Sequence, residues 1–442
     1  MVKVMLVGNG AREHAIAEAL VRGGAELRAF MNKNNPGIAK LANGDIRVDN
    51  LENFEHAASF GEGCDFAVVG PEAPLVVGIA NALQSAGIPC VGPVIEAAQL
   101  EGSKMFTRHL LKNYDVPGNI EFSTFSSMDG VDDYIDYLGL KRVVVKPDGL
   151  TGGKGVKVYG DHMHSRADVL GYCEEIFGKG GHLVLEEKLN GEEFTLQTFV
   201  DGRTILPTPI VQDHKRAFEN DEGPNTGGMG SYSMQDHLMP FLDEMDVEMA
   251  LTCMRSSIDA LKAEMGAEYK GFLYGQFMKT KQGVKLIEFN VRFGDPEAIN
   301  VLPILDTNFV DICQGIIDGT LDSMRAEFLP KATVLKYMVP AGYPDSPAEK
   351  ETIEIDEAGL EQAGARYYYA SVNQDVDGSI ITSSSRSIGV LGIADTIEDA
   401  ENIAESGTTF VRGNLFHRQD IATKSLLQKR IDHMASVMEE EL

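Results

Sequence analysis

The chain has 442 residues, a length that predicts about three domains. Lysine and arginine number 39 and aspartate and glutamate number 67, which gives a formal charge of −28 at pH 7. A surface this acidic repels a phosphate backbone, so we expect no nucleic-acid partner. The hydrophobic fraction of 43% with 24% charged residues is that of an ordinary globular protein, which excludes wholesale disorder.

Two features of the sequence bear on cellular location. No run approaches the roughly 18 apolar residues of a membrane-spanning helix, so we expect no membrane partner. The five cysteines are scattered without a Cys-x-x-Cys spacing, so the sequence predicts neither a zinc site nor a disulfide framework. This cysteine pattern is typical of a reducing cytoplasm, and we expect a cytoplasmic protein.

Residues 1–103 alternate short apolar runs with helical stretches. The predicted elements are strands at Lys3–Val7, Leu27–Met31 and Phe66–Val69, with a helix at Glu13–Arg22. This alternation predicts an α/β domain with a doubly wound parallel sheet, whose ligands lie beyond the carboxyl ends of the strands.

The rest of the chain predicts an α+β organisation. A helix is expected at Met105–Asn113. Turns connect two pairs of predicted antiparallel strands: Val143–Lys146 with Val156–Tyr159, and Gly271–Lys279 with Val284–Phe293. Beyond residue 331, a strand at 333–339, a proline-rich break, further strands and a helix at 396–405 predict a smaller mixed domain.

The loop Gly8-Asn9-Gly10 begins like a dinucleotide-binding fingerprint. Glu13 stands where the third glycine belongs, and no acidic residue closes the second strand, so a nicotinamide cofactor is disfavoured. The loop still places backbone N–H groups at a helix start, where a phosphate is stabilised. A tight turn that serves packing alone explains the same residues.

A second glycine cluster, Gly149–Gly155, lies between two predicted antiparallel strands. It is not a P-loop, because Asp148 occupies the first glycine position and Gly155 follows the lysine. The kinase motifs His-Arg-Asp and Asp-Phe-Gly do not occur. Glycines let backbone N–H groups approach phosphate oxygens, so the cluster predicts a flap over phosphates, with a flexible surface turn as the alternative.

The most specific local signal is a polar strand face late in the central region. Alternation puts Glu288, Asn290 and Arg292 on one face and apolar residues on the other. A carboxylate and an amide oxygen suit a hard cation such as Mg²⁺, and an arginine can hold a carboxylate or phosphate. A three-residue turn at 281–283 would place Gln276 opposite Glu288 as a further oxygen ligand.

Two stretches of the central region carry weaker signals. The charged run Asp213–Arg216 and the glycine-rich run Gly223–Gly230 are typical of an ordered binding loop. The apolar strand 183–189 contains Glu186 and Glu187. It is either a hinge whose backbone meets a base edge or simply a strand end, and the residues leave that choice open.

Taken in order, these motifs resemble those of the phosphoribosylamine–glycine ligase family in the ATP-grasp superfamily. The matching stretches are Gly8–His14, Val69–Leu75, Gln99–Lys104, Gly149–Gly155, Gln212–Arg216, Gly223–Gly230 and Ile287–Glu297. Each is weak alone, and their shared order and spacing carry the resemblance. Ser384-Ser385-Arg386 stands where relatives often have Gly-Gly-Arg, so no substrate role is assigned to Arg386.

The resemblance implies a domain plan and a reaction. We expect a pre-ATP-grasp domain at 1–103, an ATP-grasp domain at 104–328 with a flap subdomain at 120–190, and a mixed C-terminal domain at 329–442. ATP would phosphorylate glycine, and 5-phosphoribosylamine would attack the glycyl phosphate to give glycinamide ribonucleotide, ADP and phosphate in de novo purine biosynthesis. A monomer or weak homodimer is expected.

The resemblance also implies residue roles. The expected catalytic residues are Arg292, Lys154 and Asp213. The expected ATP-binding residues are Lys104, Lys146, Gly152, Gly153, Lys154, Gly155, Glu186, Glu187, Leu189 and Glu193, with Glu193 at the ribose. Glycine and the amine are expected at Gly8, Asn9, Gly10, Asp213, His214, Lys215, Arg216, Asn225, Thr226, Gly227, Arg292, Gly294 and Asp295. Gln276, Glu288 and Asn290 are expected to hold Mg²⁺ or Mn²⁺.

Three other functions compete with this one at the level of sequence. An ATP-grasp ligase with a different amine acceptor would carry the same nucleotide motifs. An oxidoreductase could use the Gly8 loop, and a non-catalytic nucleotide sensor could use the flap.

Overall fold

The computed structural model of the protein describes residues 1–152 and 155–439. Its N-terminal part is a parallel sheet surrounded by helices. The strands are β1 (Lys3–Val7), β2 (Glu26–Met31), β3 (Ile46–Val48), β4 (Phe66–Val69) and β5 (Cys90–Val91). The helices are α1 (Ala11–Arg22), α2 (Pro36–Leu41), α3 (Phe54–Phe60), α4 (Glu72–Val76), α5 (Ile79–Ser85) and α6 (Gln99–Gly102).

The strand order β3-β2-β1-β4-β5, with parallel neighbours, confirms the predicted doubly wound sheet. Val4–Val7 is fully buried, because a parallel strand has both faces covered and is apolar on both. The strand order reverses between β1 and β4. Ligands of such sheets bind in the crevice at this reversal, where the loops at Gly8 and Gly70 follow the two strands.

The next part of the chain forms a small antiparallel sheet with its own core. Its elements are α7 (Lys104–Asn113), β6 (Phe122–Phe125), α8 (Val131–Leu138), β7 (Val143–Pro147), β8 (Lys157–Val158), α9 (Arg166–Gly178) and β9 (Leu183–Glu187). The strand order is β6-β9-β7-β8. Val144 lies opposite Val158, which confirms the predicted pairing around the glycine cluster.

A second antiparallel sheet, in the order β11-β10-β16-β17, forms the floor of the central region. The elements here are β10 (Gly191–Asp201), β11 (Ile205–Pro207), β12 (Gln212–Asp213), β13 (Arg216–Phe218), β14 (Glu222–Asn225), β15 (Gly230–Ser233), α10 (Glu244–Met265), β16 (Lys270–Thr280), β17 (Gly283–Asn290), α11 (Glu297–Val301) and α12 (Phe309–Asp318). Strands β13 and β14 form a separate hairpin.

The register of β16 and β17 differs in detail from the prediction. Thr280 pairs with Gly283, so the turn has two residues and the expected three-residue turn is wrong. A bulge next to Gln276 then shifts the register by one residue, and Gln276 lies opposite Glu288 as predicted. Strand β17 ends at Asn290, so Arg292 follows the strand and is not part of its alternating face.

The C-terminal part is built on a sheet that it shares with the central region. Its elements are β18 (Ala332–Pro340), β19 (Thr352–Ile355), α13 (Glu357–Gln362), β20 (Arg366–Tyr369), β21 (Val372–Gln374), β22 (Ile380–Thr382), β23 (Ile388–Ala394), α14 (Ile397–Thr408), β24 (Val411–Arg412), β25 (Leu415–Phe416) and α15 (Lys424–Glu439). Strands β12 and β15 of the central region extend this sheet in the order β12-β15-β18-β23-β20. The C-terminal part is therefore joined to the central part by backbone hydrogen bonds.

Within the described ranges, no helix combines the length and the apolar composition needed to cross a bilayer. The five cysteines are free.

The segment after β17 is fixed by an aromatic cluster. Phe293 is fully buried, and its ring stacks on Phe272 with centroids 4.1 Å apart. The rings of Phe199 and Phe309 also pack against Phe293. Because Phe293 directly follows Arg292, this packing sets where the polar residues around it can lie.

We therefore expect Phe293→Ala to lower the free energy of unfolding by about 3 to 5 kcal/mol, the usual cost of emptying a buried aromatic site. Urea denaturation followed by circular dichroism measures this change. Phe218→Ala is the matched control because Phe218 is 50% exposed. Equal destabilisation by the two substitutions would contradict the role given to the cluster.

Candidate active site

Two adjoining cavities lie between the three parts of the chain. The first, of about 410 Å³, is lined by Arg12, Arg292 and Arg386 and is called the arginine cavity. The second, of about 400 Å³, is lined by Glu187 and Leu189 at the end of β9 and is called the hinge cavity. Both cavities share the walls formed by Lys146, Val156, Glu186, Asp213, Lys215, Ile287 and Glu288, so together they form one cleft.

Most of the residues predicted from sequence line this cleft. Those in the arginine cavity are Lys104, Lys146, Gly152, Glu186, Asp213, Lys215, Thr226, Gly227, Glu288, Asn290, Arg292 and Asp295. The predicted residues that line only the hinge cavity are Glu187, Leu189, Glu193, His214, Arg216, Asn225 and Gln276. Gly8, Asn9, Gly10, Gly155 and Gly294 are not among the lining residues. The predicted residues Gly153 and Lys154 lie outside the described residues.

The Gly8 loop packs tightly against α1. Gly8 has φ +118°, and a Cβ there would lie 2.7 Å from Glu13 Cγ. The Gly10 N–H donates to Glu13 Oε2 at 2.5 Å. Steric packing thus accounts for Gly8, and a side chain already occupies the Gly10 donor. The expected role of the loop in substrate binding stays a prediction.

The base of the flap is anchored at the start of α7. The Lys104 ammonium donates to the Gly149 carbonyl at 2.6 Å. Asp148 accepts hydrogen bonds from the Ser103 hydroxyl and the Met105 N–H. An acid is stabilised at this position because the first N–H groups of a helix lack partners within the helix.

Glu186 is the centre of a buried ion-pair network. Its two carboxylate oxygens pair with Arg108 Nε and Lys146 Nζ, each at 2.7 Å, and Glu186 is only 2% exposed. Burial alone would raise the pKa of Glu186, but the two cations lower it to about 2. Arg108 and Lys146 also donate to the Ile287 carbonyl. Glu186 therefore fixes Lys146 against β17, and its expected contact with adenine stays a prediction.

Glu288 lies among cations without touching one. Lys215, Lys146, Lys104 and Arg292 outweigh the effect of burial, so the pKa of Glu288 is lowered from its ordinary value. Among the described residues, no ion pair or hydrogen bond engages its carboxylate. A charged and unpaired acid surrounded by positive groups is a donor available to a further ligand.

Arg292 is held between two acids of the N-terminal part. Its Nε lies 3.1 Å from Glu72 Oε2, and a terminal nitrogen lies 3.3 Å from Glu101 Oε1. The same guanidinium donates to Asn290 Oδ1 at 3.1 Å. Burial raises the pKa of Glu101 to about 7 despite Arg292. These contacts fix Arg292 in the wall of the arginine cavity.

A pair of acids lines the opposite wall. Asp213 Oδ1 is buried and has no hydrogen-bond partner among the described residues. Burial and the neighbouring Glu297 charge raise the pKa of Asp213 well above its ordinary value. Glu297 accepts a hydrogen bond from the Tyr274 hydroxyl at 2.9 Å. Gly294 permits this arrangement, because a Cβ there would lie 2.2 Å from Glu297 Oε2.

Arg386 closes the arginine cavity from the C-terminal part. It pairs with Asp295 Oδ2 at 3.2 Å and donates to the Gly227 carbonyl at 2.6 Å. Its guanidinium also lies over the Tyr337 ring, 4.5 Å from the centroid. Arg386 thereby connects the predicted substrate residues Gly227 and Asp295.

The expected metal ligands lie together at the end of β17. Gln276 and Glu288 are cross-strand neighbours, and Asn290 follows two residues later. Gln276 Oε1 accepts from Lys215 Nζ at 2.5 Å. No group of three His, Cys, Asp or Glu residues suited to a metal occurs in the part of the chain described. The predicted ligand set is not a group of this kind, because Gln276 and Asn290 are amides and only Glu288 is an acid.

Several lining residues were missed by sequence reasoning. They are Arg12, Glu72, Glu101, Arg108, Tyr274, Glu297, Arg386, Arg430 and His433. Arg108 carries a usable signal, since it stands one helical turn after Lys104 on a helix that leads into the site. Arg430 and His433 carry none, because they meet the cleft only through tertiary packing.

Family models of phosphoribosylglycinamide synthetase match the chain in three successive stretches. The N-domain model matches residues 2–101, the ATP-grasp (A) domain model residues 102–298 and the C-domain model residues 333–424.

Named relatives match nearly the whole chain. Phosphoribosylamine–glycine ligase of Thermococcus gammatolerans is 48% identical over 98% of this chain and 97% of its own length. The protein of the same name from Methanocaldococcus jannaschii is 48% identical over 98% of this chain and 99% of its own length.

Solved structures share the fold. Phosphoribosylamine–glycine ligase from Thermotoga maritima matches with a TM-score of 0.80 and 27% identity, covering 95% of this chain and 100% of that one. The biotin carboxylase domain of Hydrogenobacter thermophilus 2-oxoglutarate carboxylase, solved with MgADP, matches with a TM-score of 0.70 and 14% identity over 100% of this chain and 99% of that one. The three family models and the relatives show that the chain belongs to the phosphoribosylglycinamide synthetase family, with the multidomain ATP-grasp fold that its sequence predicts.

Proposed function

We propose that the chain ligates glycine to 5-phosphoribosylamine at the expense of ATP, through glycyl phosphate, in purine biosynthesis. The observation that carries the proposal is the Glu288 carboxylate, which is charged, unpaired among the described residues and faced by Lys104, Lys146, Lys215 and Arg292. Such a site suits a reaction that moves a highly charged phosphoryl group, because positioning and charge neutralisation supply most of the catalysis.

The hinge cavity is the proposed nucleotide site. Ile120, Val144, Val158, Met278 and Ile287 give it apolar walls that suit a flat base. Glu187 and Leu189 lie at the end of β9, where backbone groups can meet the base edge. The phosphates would then extend past Lys146 toward Lys104 and the flap.

A divalent cation, Mg²⁺ or Mn²⁺, would be held by Glu288 and Asn290, with Gln276 as a third ligand once Lys215 releases its oxygen. The fit rests on the open Glu288 carboxylate and on oxygen donors, which such hard cations prefer. When bound, the cation neutralises charge on the ATP phosphates.

The arginine cavity is the proposed site for glycine and the amine. Asp213 and Glu297 would hold the glycine ammonium, and Arg292 would orient its carboxylate toward the phosphates. Asp213, whose pKa is raised by burial and by Glu297, can accept the proton that the attacking amine loses. A flap over the phosphates would exclude water and so protect the acyl phosphate, which hydrolyses readily.

A ligase with a different amine acceptor is the second candidate, because the proposed nucleotide site would serve it equally well. Phosphate release with glycine and 5-phosphoribosylamine, compared with other amino acids and amines, separates the two candidates. We place the protein in the cytoplasm. We also propose that it is a monomer or weak homodimer, and gel filtration over a concentration series tests this oligomeric state.

Glu288→Ala is expected to lower kcat/KM by about a thousandfold, because the substitution removes the carboxylate that complements the metal and phosphate charge. Phosphate release in the presence of ATP, Mg²⁺, glycine and 5-phosphoribosylamine measures the loss. Glu354→Ala, which removes an exposed strand glutamate, is the control and should keep full activity. A Glu288→Ala enzyme with wild-type turnover would refute the metal assignment.

Asp213→Asn is expected to raise the KM for glycine by about a hundredfold, since the site loses the charge that balances the glycine ammonium. The dissociation constant for ATP should change much less than the KM for glycine, because Asp213 only lines the wall that the two cavities share, whereas it is proposed to contact the glycine ammonium directly. Steady-state kinetics and calorimetry give the two values. Asp236→Asn, at an exposed position, should alter neither, and an unchanged KM for glycine in Asp213→Asn would remove Asp213 from the glycine site.

A further inference from the structure

The C-terminal helix α15 reaches the nucleotide site. Arg430 and His433 both line the hinge cavity. The C-domain family model ends at residue 424, where α15 begins, so these two residues lie beyond the matched stretch. The helix is seated by the buried side chains Leu426, Met434 and Val437.

Arg430 contacts two acids of the hinge cavity. It lies 2.7 Å from Asp221 Oδ2 and 3.6 Å from Glu192 Oε2. Glu192 also pairs with His433 Nδ1 at 2.5 Å and is only 3% exposed. The next residue along β10 is Glu193, the acid expected at the ribose.

The wall of the hinge cavity is more acidic than basic. Among the described residues that line it, aspartate and glutamate number eight and lysine and arginine number five. The formal charge of the whole chain is −28. Because acids outnumber cations in this wall, each cation removed from it makes the wall more negative and raises its repulsion of ATP.

An unpartnered group lies beside the same acids. His214 is 1% exposed, and neither of its ring nitrogens has a hydrogen-bond partner among the described residues. Its Nδ1 is 3.6 Å from Asp221 Oδ1, too far for a hydrogen bond. Buried polar atoms without partners indicate a place for a ligand or water.

We propose that Arg430 is a positioning residue for ATP. It balances Glu192, and together with Arg418 and Lys429 it balances Asp221, in the wall of the hinge cavity beside Glu193, the acid expected at the ribose. The inference rests on the proposed function, because it requires that this cavity takes the nucleotide. Arg430 acts through the two acids it pairs with and leaves the glycine site unaffected. The C-terminal helix then contributes to nucleotide affinity from beyond the stretch that the domain models match.

The test compares ATP with adenosine on the full-length protein by calorimetry with Mg²⁺. Arg430→Ala should weaken ATP binding about tenfold and adenosine binding less than about twofold, because adenosine carries no charge to be repelled. The KM for ATP should rise in parallel while the KM for glycine stays within about twofold. The ATP effect should shrink at high ionic strength.

Three further variants separate charge from packing. Arg430→Lys should keep most of the affinity. Glu192→Gln placed in the Arg430→Ala protein should restore ATP binding, because it removes the buried charge that Arg430 balanced. Gln428→Ala, on an exposed position of the same helix, is the control and should bind ATP like the wild type.

Each alternative outcome has a definite meaning. Equal weakening of ATP and adenosine, or no restoration by Glu192→Gln, would show that Arg430 serves packing and would overturn the inference. Unchanged ATP binding in Arg430→Ala would also overturn the inference about Arg430, but it would leave the proposed function intact. Failure of the wild type to bind ATP with Mg²⁺ would instead overturn the proposed function. If Arg430→Ala does not fold, ATP binding is compared between Arg430→Met and Arg430→Met/Glu192→Gln. Tighter ATP binding by the double variant would support the inference, and equal binding would overturn it.

Discussion

The site depends on burying charged groups next to partners of opposite charge. Glu186 holds Arg108 and Lys146 with both oxygens, and the two cations in turn bind the backbone of β17 at Ile287. This network joins α7, β7, β9 and β17. Breaking such a buried pair leaves an uncompensated charge, which costs several kcal/mol. The network therefore fixes the distance between the small antiparallel sheet and the floor of the cleft.

The same principle explains why Glu288 stays ionised although no described residue pairs with it. Its neighbours are cations that are themselves anchored elsewhere: Lys146 on Glu186, Lys215 on Gln276, and Arg292 between Glu72 and Glu101. The field at Glu288 is positive, but none of these three cations is free to collapse onto it. A site organised in this way is preformed for a charged ligand, so less reorganisation is needed when the ligand binds.

Local patterns in the sequence predicted the fold class. Most of the site residues that its motifs and the family resemblance implied also line the cleft. Buried parallel strands read as apolar runs, and glycines mark close backbone approaches. Gln276 shows the limit of such reasoning: its place opposite Glu288 was predicted from a three-residue turn, whereas the structure reaches it by a shorter turn and a bulge. A bulge is invisible to a period-two argument, since it changes the register without changing the composition. Arg292 likewise reaches the cleft from beyond the end of its strand.

Residues contributed by distant parts of the chain could not be predicted in this way. Glu72 and Glu101 meet Arg292 across about 200 residues of sequence, as expected for contacts set by the packing of domains and not by local pattern. Arg430 is the extreme case, because a charged residue on a terminal amphipathic helix is usually a solvated one. Arg430 has partners because the central and C-terminal parts share one sheet. Strands β12 and β15 pair in the same sheet as the C-terminal strands, and this pairing holds the C-terminal part against the hinge cavity. A domain joined through a sheet cannot swing freely, so a cation on its last helix can stay in register with Glu192 on β10 and with Asp221.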